Sequence, residues 1–536
     1  MLKMDEKSWR YAAWAVFGLI AVLILLTFRH YGVTWDEELQ SQYGQAIVDY
    51  YLSGFHDDHY AEIFNLYLYG GMFDGLASLV DRYTPFVVYD TRHLINALFG
   101  LLGLWGTWRL GKFIGGGAVG FVALLLLILT PMYYGHMFNN PKDIPFTTGI
   151  VWTLYFMSRC MGDKPRPKIS LIIKLGIVFG LTLGVRVGGV MVLAFWAVPV
   201  GWVSLRQLWV GRGKKKKFRA ALAELIRDEV RIILPAAIAA YSVLLLCWPW
   251  AQQGPVANPI KALSEFSNFP QDVEVLLNGT IYRSTQLPWS YVPLYFGVQL
   301  PELLLLLLLA SAPLMPWIVR KLKLPQKQAL TLLVLTAFVP ILYAIIHRPA
   351  LYDAVRHFLF AVPLMCILAA LAGRHIYVWA VGEFRQKWAK RWVAWGMLAA
   401  FALAAGSQIA LMAQLHPYEY VYINRFAGGV QNAFGRYEMD YWGTSFREAV
   451  ERLHARVTQE GGIPSGKIYR IAICGPWDSA MIFLPPNYKP VTANLPAEFF
   501  LSTTRWMCQN MRSGPEIIRV ERMGVPLSVI KDLQEK

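Results

Sequence analysis

Four short stretches of this chain place acid–base and anion-binding groups beside long apolar runs. The first, Thr34-Trp35-Asp36-Glu37-Glu38, sets three carboxylates a few residues beyond an apolar run. A carboxylate held at a membrane surface can take the proton of an attacking hydroxyl. The plain alternative is solvated loop acids, or acids at the N-terminus of a surface helix. The second, His136-Met137-Phe138-Asn139-Asn140-Pro141-Lys142-Asp143-Ile144-Pro145-Phe146, holds Asp143 between two prolines that restrict the backbone to a defined turn. Alternatively Asp143 pairs with Lys142 or caps the next helix. The third is Arg186 within Gly184-Val185-Arg186-Val187-Gly188-Gly189, which reads as a snorkelling arginine or as the bend of a tight helical hairpin. The fourth, Tyr352-Asp353-Ala354-Val355-Arg356-His357-Phe358-Leu359, supplies a guanidinium whose planar fork suits phosphate or carboxylate, with snorkelling again the alternative. A charged side chain at membrane depth costs roughly 2.5–3.5 kcal/mol on insertion scales, so each of these needs a reason.

The elements that must position them are membrane spans. Of 536 residues, 56% are hydrophobic and 16% charged, and the chain carries 20 Trp, 27 Tyr and 29 Phe. Soluble chains run at roughly 45–50% apolar and about 25% charged. This composition excludes a soluble multidomain protein, a disordered chain, collagen, a coiled coil and a small disulfide scaffold. A span needs about 20 mostly apolar residues, and that length finds about eleven candidates. They lie near 12–28, 93–110, 114–133, 146–161, 170–205 (split into two at Arg186), 231–250, 291–318, 328–347, 355–373 and 392–413. Lys3, Lys7 and Arg10 precede the first, which lacks a small-residue cleavage site and reads as a retained anchor. With the N-terminus in the cytoplasm, every inner loop is basic. Those loops hold Arg109 and Lys112; Lys164, Arg166, Lys168 and Lys174; Lys214 to Lys217; Arg320, Lys321 and Lys323; and Arg374, Arg385, Lys387, Lys390 and Arg391. The same parity puts all four polar stretches on the outer leaflet.

The expected architecture is thus a polytopic α-helical membrane domain over 1–413, with outer loops at 29–92, 134–145 and 251–290. An extracytoplasmic domain follows over 414–536. That tail has apolar runs at Ile468–Cys474 and Met481–Leu484 and an amphipathic helix pattern over Ser445–Val457, the signature of a small α/β or α+β fold. Cys474 and Cys508 both fall in it, where an oxidising compartment would permit a disulfide; Cys160, Cys247 and Cys366 lie in or near spans. No Cys/His cluster suggests zinc. The net charge of +16 is assigned to topology and anionic headgroups rather than to nucleic acid.

The outer face has no nucleotide sugars, and the chain has no Walker A loop or GxGxxG fingerprint. A donor must therefore arrive through the membrane. A lipid-linked phosphosugar needs an apolar groove, a cation for its phosphate and a base opposite the leaving group, and the chain offers candidates for all three. The pair Asp36-Glu37 after the first span resembles the first-loop motif of the GT-C glycosyltransferases, and more narrowly of glycosyltransferase family 39, the protein O-mannosyltransferase and aminoarabinose-transferase-like branch. Arg92-His93-Leu94-Ile95-Asn96-Ala97-Leu98, the loop His136–Phe146 and Arg356-His357-Phe358-Leu359 are similar to bacterial members. The tail string Phe434-Gly435-Arg436-Tyr437-Glu438-Met439-Asp440-Tyr441-Trp442-Gly443 looks like a subgroup feature without an assigned role.

The resemblance implies a GT-C-like bundle and an inverting transfer from a polyprenyl-phosphate sugar to an acceptor hydroxyl outside the cytoplasm. Asp36 would be the general base, and Glu37 would orient it or the acceptor. Asp143 would position the acceptor or hold a cation. Arg356 would take the departing phosphate, with Arg186 and His357 as further candidates. The sequence requires no cofactor; a divalent metal, if used, would fall to Asp36 and Asp143. The loop Ser264–Trp289, with Tyr282 and Arg283, closes over substrate or is a solvated loop with an interfacial tryptophan. The acceptor stays open between a lipid, a glycan and a protein. A bacterial inner membrane, with the site and tail periplasmic, is the expected location. The competing reading is a lipid or lipid-linked-sugar flippase, which would be expected to show repeats and midplane sites.

Overall fold

The computed structural model describes residues 5–210, 215–267, 272–459 and 467–534. Lys3 and Lys214, counted above among the basic flanks, lie outside these residues. Helix α1 (Glu6–Thr27) begins at Asp5, whose carboxylate accepts the Ser8 N–H at 2.8 Å. Its Leu19, Val22, Leu25 and Leu26 stay exposed, as a lipid-facing stripe must, while Ala13, Phe17, Ile20 and Ile24 are buried. The segment after α1, expected as the first outer loop, is folded rather than open, with α2 (Glu37–Leu52) and α3 (Met72–Asp81). Then come α4 (Val88–Gly115), α5 (Gly117–Ile128), α6 (Pro131–Asn139), α7 (Asp143–Gly162), α8 (Ile169–Leu183), α9 (Met191–Val210) and α10 (Lys215–Cys247). The segment after α10 carries α11 (Pro249–Gln253), α12 (Ala257–Ser267) and the hairpin β1 (Glu274–Leu277) and β2 (Thr280–Arg283). The membrane part finishes with α13 (Tyr291–Gln299), α14 (Glu302–Arg320), α15 (Leu324–His347), α16 (Val362–Glu383) and α17 (Lys387–Leu415).

The chain is a polytopic helical membrane protein. Among the described residues seven helices are long and apolar enough to cross a membrane, and the pair α5–α6, bent by 69°, makes an eighth. Helices α4, α7 and α8 occupy the other expected positions. Of these, α8 is apolar but 15 residues long, and α4 and α7 carry buried polar groups such as Arg92, His93, Asn96, Asp143 and Thr147 that lower their hydropathy. Two expected spans are not continuous. The run 114–133 breaks before Pro131, which opens a new helix because its missing N–H costs nothing in a first turn. The run 291–318 breaks at Leu300-Pro301. There the Asn424 amide donates to the carbonyls of Gly297 at 2.7 Å and Leu300 at 2.9 Å, so the backbone groups freed by the break are satisfied from the tail.

The stretch Arg356–Glu383, containing α16, is the centre of the bundle. In it 78% of the apolar stretch is buried, against 17% in α14 and α17 at the periphery. Close helix contact relies on small residues, as expected where lipid offers no hydrophobic drive. On α8, a Cβ at Gly176 would lie 2.5 Å from the Ala236 carbonyl oxygen, and one at Gly180 2.4 Å from that of Ala240. At the basic end Lys112 Nζ lies 3.1 Å from Glu6 Oε2, and Arg374 Nη1 donates to the Gly115 carbonyl at 2.8 Å, so α1, α4, α5 and α16 meet there.

The tail folds as α18 (Gly429–Ala433), α19 (Phe446–Gln459), β3 (Tyr469–Cys474), α20 (Trp477–Met481), β4 (Tyr488–Thr492), β5 (Phe499–Thr503), β6 (Glu516–Arg522) and β7 (Val525–Asp532). The sheet order is β4-β3-β5-β7-β6; β3 pairs in parallel with β4 and β5, and the remaining pairs are antiparallel. The amphipathic pattern at Ser445–Val457 is α19. The apolar run Ile468–Cys474 supplies β3, whereas Met481–Leu484 is the last residue of α20 and the turn that follows it, outside the sheet. The tail sits against the exit of α1. A Cβ at Gly32 would lie 2.1 Å from the Thr444 carbonyl oxygen, and Arg447 Nη1 donates to the Tyr31 carbonyl at 3.1 Å.

Gly180→Val should force α8 from α10 and lower stability by about 1–3 kcal/mol, the usual cost of overpacking. Gly18→Ala on α1, where nothing lies within 4 Å of the new methyl, should be neutral. Thermal unfolding of both variants in one detergent tests the contrast.

Candidate active site

A cavity of about 550 Å³ lies at the end of the bundle away from the Lys112–Glu6 contact. Asp36 reaches it from the N-cap of α2. Its carboxylate makes no capping bond, so it is not consumed by the helix it starts. The neighbouring acid points elsewhere. The Asp36 side chain is 38% exposed and Glu37 is 1% exposed. Glu37 Oε2 accepts the Thr34 N–H at 2.7 Å, and Oε1 lies 3.1 Å from His93 Nε2 on α4. Glu37 therefore fixes the turn that presents Asp36.

Arg356 enters from the 3₁₀ segment Arg356–Ala361 that leads into α16. Its Nη1 is 3.6 Å from Asp36 Oδ2, and its Nη2 is 3.2 Å from Asp353 Oδ2. The guanidinium also lies over the rings of Tyr352, at 4.9 Å, and Trp442, at 5.7 Å. Asp353 and Ala354 both have positive φ, of 55° and 58°, a region that costs non-glycine residues energy and persists where surroundings impose it. Tyr291 helps impose it by donating its hydroxyl to the Ala354 carbonyl at 3.0 Å. His357 also lines the cavity, its ring edge-on to Tyr352 at 5.0 Å.

Asp143 is buried behind the cavity wall rather than lining it. It pairs with Arg186 at 2.7 Å, accepts from the Asn140 amide at 2.9 Å, and its own N–H donates to Asn140 Oδ1 at 2.9 Å. Arg186 and the preceding residue, Lys142, do line the cavity. The Lys142 ammonium stands 4.0 Å over the Tyr69 ring and has no carboxylate within ion-pair distance among the described residues. Burial pulls its pKa below the usual lysine value, with Asp36 and Asp74 opposing. Asp36 and Asp143, the carboxylates considered for a divalent cation, are each paired with an arginine. Among the described residues no group of three or more His, Cys, Asp or Glu is placed to hold a metal.

The tail supplies part of the wall through Tyr441, Trp442, Arg505 and Trp506. Arg505 is buried, with Nη2 2.9 Å from Asp353 Oδ1 and Nε 3.0 Å from Glu438 Oε1. Thus the string Phe434–Gly443, which had no role from sequence, builds the site: Glu438 holds Arg505, and Tyr441 and Trp442 face the cavity. Cys474 and Cys508 are bonded to each other. Tyr282 and Arg283 are not brought to the cavity; Arg283 points to Asp272 and Glu274, and Val273 is the residue of that segment that reaches it. The sequence reading missed Lys142, Asp353 and Arg505. Lys142 adjoins a residue that was singled out, whereas Arg505 has no apolar run of span length beside it to mark membrane depth.

Residues 90–226 match the family described as dolichyl-phosphate-mannose-protein mannosyltransferase, in agreement with the family 39 resemblance. The matched segment contains Asp143 and Arg186 but neither Asp36 nor Arg356. No curated protein sequence matches the chain. Among solved structures, ArnT from Cupriavidus metallidurans bound to undecaprenyl phosphate is 12% identical with TM-score 0.46, over 97% of this chain and 98% of that one. The apo oligosaccharyltransferase of Archaeoglobus fulgidus is 13% identical with TM-score 0.48, over 90% of this chain and 65% of that one. The oligosaccharyltransferase AglB of the same organism, in complex with an inhibitory peptide and a dolichol-phosphate, is 13% identical with TM-score 0.47, over 93% of this chain and 69% of that one. At these TM-scores the likeness decides neither fold nor function.

Glu438 gives the tail a pH signature. Burial pushes its carboxyl up to about 7, with Arg505 opposing and Asp353 adding. The folded protein then holds a proton that the unfolded chain, with an ordinary carboxyl near 4.5, releases first. Its contribution to stability is complete below the unfolded value and is lost as pH rises through the folded value. The unfolding midpoint should fall between about pH 5 and about pH 7 and level above it, and Glu438→Gln should flatten that slope. Thermal unfolding across this window checks the sign.

Proposed function

We propose that this protein is a GT-C-type glycosyltransferase that moves a sugar, with inversion, from a polyprenyl-phosphate donor to an acceptor hydroxyl at the extracytoplasmic face of a bacterial inner membrane. The observation that carries this reading is the gathering of Asp36, Lys142, Arg186 and Arg356 around one cavity at the bundle end opposite the basic loops. Four cations line it, Arg505 included, against the two carboxylates Asp36 and Asp353. The family match over 90–226 supports the same reaction class.

In this reading the donor phosphate lies between Arg356 and Lys142. Among the described residues Lys142 has no carboxylate partner to give up, and Arg356 presents a fork that accepts an anion in a defined orientation. The acceptor oxygen attacks the anomeric carbon as Asp36 takes its proton, and the bond from that carbon to the phosphate oxygen breaks. The electron pair leaves with the polyprenyl phosphate. That group departs as an anion, so its charge needs stabilising cations more than a proton donor. One base and one displacement give inversion, with no sugar bonded to the enzyme. Arg186, held by Asp143, keeps the wall beside Lys142 cationic. Phe146, Phe360, Met191 and Leu66 provide apolar lining for the first isoprene units.

Asp36→Asn should lower transfer by about 10²–10⁴-fold, the range for a lost general base, while leaving donor binding within a few-fold. Lys142→Met should do the reverse, weakening donor binding with a smaller effect on turnover at saturation. The measurement is loss of labelled sugar from a polyprenyl-phosphate donor in proteoliposomes made with envelope lipids. Donor that crosses the bilayer chemically unchanged would instead mark a flippase.

A further inference from the structure

We infer that Arg505, from the tail, is a positioning residue for Arg356, acting through Asp353, and that the Cys474–Cys508 disulfide holds it there. This rests on the donor reading above and deepens it, by making the extracytoplasmic domain a working part of the phosphate site.

Asp353 stands between two arginines and gives one carboxylate oxygen to each: Oδ1 is 2.9 Å from Arg505 and Oδ2 is 3.2 Å from Arg356. Both arginines and the carboxylate are buried. Arg505 in turn is fixed on three sides. Its Nε faces Glu438 at 3.0 Å, its Nη1 donates to the Tyr441 carbonyl at 2.8 Å, and its N–H donates to Thr503 Oγ1 at 2.9 Å. The next two residues, Trp506 and Met507, have positive φ of 56° and 53°, and Cys508 then ties the turn to the end of β3. The disulfide thus closes the very turn that aims Arg505 inward.

The electrostatic consequence is specific. Were Arg505 absent, the Asp353 charge would fall wholly on Arg356, which already faces Asp36 at 3.6 Å. Arg356 would then be neutralised by its own neighbours and turned away from an incoming phosphate. With Arg505 sharing Asp353, part of the Arg356 charge stays available to the leaving group. A residue that only glued the tail to the bundle would not make this distinction.

The test is binding of undecaprenyl phosphate to the full-length protein in detergent, with undecaprenol as the neutral control, read by quenching of the cavity tryptophans. Arg505→Met should weaken undecaprenyl phosphate by about tenfold and leave undecaprenol unchanged. Adding Asp353→Asn to Arg505→Met should recover most of the loss, because it removes the charge that had captured Arg356, and a double-mutant cycle measures that coupling. Reducing the disulfide in folded protein should weaken phosphate binding in the same direction, which keeps the inference open to test if Arg505→Met folds poorly. Unchanged phosphate affinity in Arg505→Met, or a double variant no better than the single, overturns the positioning role and leaves the donor reading standing. Wild-type protein that binds undecaprenyl phosphate no better than undecaprenol overturns both.

Discussion

Charge buried at the edge of a membrane must be paired, and this structure is organised around one such pairing. Arg505, Asp353, Arg356 and Asp36 form an alternating line that runs from the tail to the start of α2. Removing one member of a buried pair leaves an uncompensated charge, which costs several times what the pair itself contributes. The line therefore constrains every element that supplies a member. The 3₁₀ segment before α16 must hold Arg356 at the cavity, α2 must begin at Asp36, and the tail must dock where it does. In the proposed reading, a donor phosphate beside Arg356 would join a line with alternating signs already in place.

Such a site needs irregular backbone, which lipid does not tolerate unless protein covers it. The covering is visible at each interruption. The break at Pro301 is filled by Asn424. After the bend between α5 and α6, the next turns carry Gly135, where a side chain would strike the backbone of Tyr420, and His136, whose Nε2 is 3.0 Å from the Tyr441 hydroxyl. The break before Arg186 allows that arginine to reach Asp143. The tail thus closes the end of the bundle and supplies the aromatic wall. This accounts for a domain whose sequence looks detachable being joined to the membrane part by buried polar contacts.

Much of this was legible in the chain because membrane depth leaves a strong signal. The apolar runs mark helices, and a charge beside such a run stands out. Asp36, Arg186 and Arg356 stand out that way, and all three line one cavity. The direction of a side chain was not legible. Asp36 and Glu37 look equivalent as letters, but neighbours at a helix start point about 100° apart, so one faces the cavity and the other the bundle. The same rotation exchanged Lys142 and Asp143: the acid singled out from sequence is buried on Arg186, and the lysine beside it faces the cavity. Arg505 carried no such mark, because its burial comes from a tertiary turn 149 residues beyond Arg356, closed by a disulfide. Tyr282 and Arg283 were chosen for residue type in a loop that the structure folds into a hairpin, which turns them away.

In the proposed reading a lipid-linked phosphate sits between Lys142 and Arg356 with the reacting carbon facing Asp36. Cryo-electron microscopy of the protein in lipid nanodiscs, with a non-transferable polyprenyl-phosphonate sugar analogue bound, tests it most directly. Phosphonate density is expected at about 3 Å, hydrogen-bond distance, from both cations, with the anomeric carbon on the Asp36 side. Phosphonate density at the basic end of the bundle beside Lys112 and Arg374, with the Asp36 cavity empty, would contradict it.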